Sequence, residues 1–144
     1  MWRKLTEDDL VATLSRREVD AYKGDFEIDA VAVLLADTAA WARGYIRTNG
    51  NVRLHPDEAT VPASCVSPAM DYAALKVLKR LNIEPKDARK AAWDAAIKFF
   101  ESVAAGRVTP ESHETDATGA TGGPAVEIVT ASRSRTDANR LEGL

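Results

Sequence analysis

The chain of 144 residues holds a single cysteine, Cys65, and only two histidines, His55 and His113. One cysteine excludes an internal disulfide and a cysteine-based zinc site, and it suits a reducing compartment. The histidines fall in a loop and in the tail, without ligand spacing or a rigid partner. They read as exposed loop residues rather than as metal ligands or a general base. A basic excess is missing too: 19 Lys and Arg stand against 22 Asp and Glu, a formal charge of −3, which argues against a general nucleic-acid binder. There is no short apolar run suited to a signal peptide and no stretch of about 20 apolar residues to span a bilayer. The expectation is a soluble protein made in a cytoplasm, with no membrane partner.

The usual chemical constellations are absent as well. The glycines at 119, 122 and 123 lack a following Lys-Ser/Thr and read as a flexible linker, not a phosphate loop. Glu7, Asp8 and Asp9 form an acidic run at a helix start, where it complements the helix dipole. With no nucleophile–base pair, the sequence predicts no enzyme, no catalytic residue, no cofactor and no metal.

What is present divides sharply. Residues 1–107 read as an Ala-rich helical domain, 108–124 as a flexible acidic and Gly-rich linker, and 125–144 as a C-terminal arm carrying a short β-strand. Thr6 with Asp9, and Ser15 with Glu18, have capping-box spacing and open two short helices. From Phe26 or Ile28 to Arg47, apolar residues at Ile28, Val31, Leu34, Leu35, Thr38, Trp41, Ala42 and Tyr45 keep the helical rhythm of one buried face. A second stripe, Ala32, Ala36, Ala40 and Gly44, would let another helix come close. After a loop over 51–62, a third long helix ends near Leu81; Pro68 either suits its first turn or bends the helix if it begins at Pro62. Pro85 is expected to open the last helix and Gly106 to close it. Asp71 is expected to pair across helices with Arg43 or Arg47. The fold class is all-α: a small bundle of three longer helices plus short N-terminal ones, with an extended arm.

The arm is the informative part. Ala125 to Thr130 is β-prone, with Val126, Ile128 and Thr130 on one side and Glu127 and Val129 on the other. A lone strand on a tether cannot satisfy its own backbone groups and needs an edge elsewhere. The predicted partner-binding residues are Val126, Ile128, Val129, Thr130, Arg133, Arg135 and Arg140, with the arginines suited to partner carboxylates. The alternative is a small helical DNA-binding regulator, for which Lys76, Lys79 and Arg80 are the nearest approach to a basic recognition helix.

The order of motifs also resembles a known family. These are Leu5-Thr6-x-x-Asp9-Leu10, Leu14-Ser15-x-x-Glu18, Ile28-Asp29-Ala30, Ala39-x-x-x-Arg43-Gly44-Tyr45-Ile46 and Val61-Pro62. Met70-Asp71-Tyr72-Ala73, Phe100-Glu101-x-Val103-Ala104-x-Gly106-Arg107-Val108 and Ser132-Arg133-x-x-Thr136-x-x-x-Arg140-Leu141 follow. Over nearly its whole length the chain resembles the head–tail adaptor (connector) proteins of Mu-like and related tailed bacteriophages. It departs from them at Leu54-His55-Pro56 and at Pro68. The resemblance implies a homo-oligomeric ring, of about twelve copies, under the portal protein at the capsid vertex. It implies a virion neck protein that docks the next neck or tail component, a stopper or tail terminator. DNA would pass through its channel without sequence-specific binding. It implies no enzymatic activity.

Overall fold

The computed structural model describes residues 1–24 and 29–114. In chain order they form β1 (Trp2–Lys4), α1 (Glu7–Thr13), α2 (Arg16–Gly24), α3 (Ala30–Asn49), β2 (Thr60–Pro62), α4 (Ala63–Arg80) and α5 (Asp87–Ala104). The fold is mostly helical, as expected. The folded unit runs from Met1 to His113, so residues 108–113, expected as the start of the linker, belong to it.

Local chemistry sets most of the helix ends. Thr6 accepts a hydrogen bond from the Asp9 amide while the Asp9 carboxylate accepts one from the Thr6 amide, a reciprocal cap on α1. Ser15 and Glu18 repeat the exchange ahead of α2, at 3.1 and 3.2 Å. Asp29 caps α3 through Ala32, which fixes its start at Ala30; Phe26 and Ile28 lie outside the described residues. Gly50 and Gly106 take the left-handed conformation, φ +81° and +83°, just past α3 and α5, where a Cβ would be strained.

Two boundaries differ from expectation, and a third, left open between two starts, takes the earlier one. The loop over 51–62 ends in β2, which pairs antiparallel with β1 in the register Trp2↔Pro62, Arg3↔Val61, Lys4↔Thr60. Three-residue strands carry too little alternation to stand out in a sequence. Helix α4 starts at Ala63, so Pro68 sits inside it rather than in its first turn. Helix α5 starts at Asp87, two residues after Pro85.

The core lies where α3, α4 and α5 meet, with α1 and β2 closing one side. Val31, Leu34, Ala39, Ala42 and Ile46 of α3 join Cys65, Ala69, Met70, Ala73 and Val77 of α4 in one buried cluster with Phe100 and Val103 of α5. Thr38 is buried without cost because its hydroxyl donates to the Leu34 carbonyl at 2.7 Å. Trp41 stacks on Tyr72 with ring centres 3.7 Å apart and meets Phe100 edge-on, joining all three helices through aromatic contacts. No helix among the described residues is long and apolar enough to cross a membrane.

Candidate functional site

The predicted partner-binding residues, Val126, Ile128, Val129, Thr130, Arg133, Arg135 and Arg140, lie outside the described residues. What the structure does place is the corner from which that arm continues. There the small sheet, the start of α4, the loop over 51–60 and residues 108–113 converge.

Helix α4 begins directly after Pro62, which offers no side-chain cap for its first amides. Glu111, distant in sequence, supplies one. Its carboxylate accepts from both the amide and the hydroxyl of Ser64, and the N-terminal ammonium group lies 3.7 Å away. A carboxylate at a helix N-terminus is favoured by its amides and its dipole together. Burial works to raise the Glu111 pKa, but the hydrogen bonds from Ser64 and the nearby terminal charge prevail, and it falls below the ordinary carboxylate value. The Glu111 carbonyl then accepts from the Trp2 indole N–H at 2.9 Å. Two residues on, the His113 amide donates to the Arg53 carbonyl at 2.8 Å, and the Arg53 amide donates to Ser112 Oγ at 3.0 Å. These bonds, not a helix, hold residues 111–113 in place.

Trp2 is a core residue. It is buried, and the Arg43 guanidinium lies over its ring at 5.4 Å. Arg43 is only 5% exposed and donates to three carbonyls, those of His55, Asp57 and Thr60, at 2.7, 3.2 and 2.9 Å. Burial, with Arg47 adding repulsion, lowers its pKa from an ordinary value high enough to leave it charged. It therefore fixes the loop between α3 and β2 rather than pairing with Asp71. Asp71 pairs with Arg89 of α5 at 3.6 Å, and Arg89 also donates to the Thr13 carbonyl. Burial raises the Asp71 carboxyl pKa, which Arg89 partly offsets.

His55 and His113 meet as an edge-to-face pair with ring centres 4.3 Å apart, and both are half-buried rather than exposed. His55 Nδ1 accepts from the Asp57 amide, which leaves its other nitrogen as the donor. No group of three or more His, Cys, Asp or Glu converges for a metal among the described residues. Cys65 is buried in the core, where loss of solvent pushes its thiol pKa up to about 12.

Two further surfaces bear on function. Ala32, Ala36 and Ala40 stay exposed on α3, beside Val33 at 47% exposure. Lys76 and Lys79 lie over the rings of Tyr72 and Trp93, at 5.4 and 5.7 Å. These cations cover half-buried aromatic rings at the surface.

Compared with known protein families, residues 1–128 match the family described as Bacteriophage Mu, Gp36. The chain belongs to that family. It is thus a bacteriophage virion or morphogenesis protein. No curated protein and no solved structure matched the chain. Arg43, Gly106 and the two capping boxes, all within the matched range, have structural roles that need no ligand.

The sequence reading missed Glu111 and Arg43. A usable signal existed for the first: a helix opening after Pro62 has amides that its own residues do not cap, so an acceptor must come from elsewhere.

Proposed function

We propose that this member of the Gp36 family is a head–tail adaptor, a non-catalytic part of the virion neck. Its copies form a ring beneath the portal protein, extend the DNA channel, and dock the next neck or tail component. The observation that carries the reading is the pairing of family membership with a two-part design. A self-contained helical body is bonded up to His113, and an arm with β-strand patterning follows.

The arm is the assembly element. Val126, Ile128 and Thr130 bring β-branched side chains to a partner edge, and Arg133, Arg135 and Arg140 pair with carboxylates beside it. The formal charge of −3 suits a conduit, because DNA slides past a surface that makes few phosphate contacts. Truncation after Glu114 tests the reading. The shortened protein is expected to fold and to be missing from the capsid vertex in imaged particles; particles that contain it in normal amount overturn the proposal. A gel-shift assay at moderate salt separates it from a DNA-binding regulator, since the adaptor gives no shifted duplex band.

A further inference from the structure

The two-stranded sheet has an edge that the described residues leave open. Ala63 donates to the Met1 carbonyl at 2.7 Å, and the register pairs Arg3 with Val61 two positions on. In an antiparallel ladder every second residue turns its amide and carbonyl toward the partner strand. Met1 and Arg3 therefore face β2, while Trp2 and Lys4 turn their backbone groups away from it. The Lys4 carbonyl accepts from the Arg3 side chain. The Trp2 amide and carbonyl and the Lys4 amide have no such partner among the described residues. An open row of this kind is a template for one more strand.

We propose that the edge of β1 receives the 126–130 segment of a neighbouring copy of this chain. The assignment rests on the ring reading above and names the acceptor that reading needs. Three observations support it. The strand-patterned segment is followed by no second strand in the sequence, and β1 has an unmatched edge. The described chain stops at Glu114, just past residues bonded to Trp2, Ser64 and Arg53 at this corner. From there to Val126 an extended chain reaches about 40 Å, enough for the next subunit in a ring. The side chains also match. Trp2 is buried and shares its side of β1 with the exposed Lys4, while Arg3 is exposed on the other side, so the Val126, Ile128 and Thr130 side continues the side that carries Trp2 and Glu127 falls beside Arg3. An arm passed from each copy to the next is a heterologous contact, the kind that closes a ring. An arm returned to its own sheet would join no two copies.

The test uses full-length protein in two forms, mixed and oxidised. One carries Lys4→Cys and a size tag; the other carries one cysteine, placed in turn at each position from 126 to 130. Cys65 stays silent because it is buried. The expected result is one dominant disulfide between copies, at 126, 128 or 130, with little at 127 and 129, a tenfold contrast in yield. Equal yield at all five positions, or none at any, overturns the proposal. So does a double variant, Lys4→Cys with Ile128→Cys, that closes only within one chain. Lys4→Pro supplies the second arm, with the reporter cysteine moved to Arg3→Cys, which by itself should cross-link at 127 or 129. The proline removes an outward amide and leaves the backbone pairing of position 3 with Val61 intact, so that cross-link should vanish while the thermal midpoint moves by no more than a few degrees. If the cross-link survives Lys4→Pro, β1 is not the acceptor. Loss of the cross-links together with continued exclusion of the Glu114 truncate from particles would remove this acceptor and leave the adaptor reading in place.

Discussion

Arg43 illustrates how much one side chain settles. A guanidinium is a fixed fork of donors, and here it meets three carbonyls of a loop that has little regular structure of its own. Lysine has a single ammonium centre and cannot reach all three. Arg43→Lys is expected to cost about 2–3 kcal/mol, seen as a lower urea midpoint, because buried carbonyls lose donors. A variant as stable as the parent would show that the loop holds itself.

Acid sensitivity also belongs to single residues. The Asp9 carboxyl lies below its ordinary pKa, chiefly through its hydrogen bond from Arg3, and Glu111 lies below its own. Groups lowered in the fold stabilise it fully above their unfolded values, near pH 4, and lose that contribution as pH falls through the lowered folded values. Asp71 has the opposite sign: its raised carboxyl favours the fold at low pH and loses that contribution as pH rises through its folded value. With Asp57 also lowered, by its hydrogen bond from the Ala59 amide, three lowered carboxyls stand against one raised, and stability is expected to decline below about pH 4. Glu111→Gln should flatten that decline and cost about 1 kcal/mol at neutral pH, both read from denaturation curves at stepped pH. At Cys65, a thiol with a pKa of about 12 inside the core should react with a disulfide reagent only when the chain unfolds. Rapid labelling under native conditions would contradict the packing.

At the scale of elements, α5 is held by few buried residues. Ala96, Phe100 and Val103 are its only fully buried positions, and Phe100 touches both Trp41 and Tyr45. Phe100→Ala is expected to cost about 3–5 kcal/mol. A domain of this size has little stability beyond that, so the variant should be largely unfolded by circular dichroism at physiological temperature. The helix pattern was legible in the sequence because one face of each helix is apolar and the period is visible over many residues. Val31, Leu34, Thr38 and Ala42 were placed correctly for that reason. Ala96 was overlooked: alanine marks a close helix crossing as readily as a solvent face. The sheet was not legible at all, since β1 and β2 are far apart in the chain and each spans one pleat.

At the scale of the whole molecule, the end of the body matters most for experiment. Pro110 is buried and residues 111–113 are bonded into the body, so truncation after Thr109 and truncation after Glu114 are different experiments. The shorter chain loses the Glu111 cap, the Trp2 and Arg53 hydrogen bonds and the His55–His113 contact. It is expected to melt several degrees below the longer one, whose midpoint should equal that of the body in the full chain. Equal midpoints for the two truncates would mean that these bonds contribute nothing.

Sequence alone determined what depends on near neighbours. It gave the caps at Thr6 and Ser15, the buried faces of the long helices, the glycine stop at 106 and the change of composition beyond the body. Each rests on interactions within a turn or two of chain, and so is written in spacing. Only tertiary structure decided that Glu111 caps α4, that Arg43 serves a loop while Arg89 takes Asp71, and that Trp2 lies in the core. It also decided where the small sheet leaves an edge open. Those are pairings between distant residues, for which many partners satisfy the local chemistry and only the packed chain selects one.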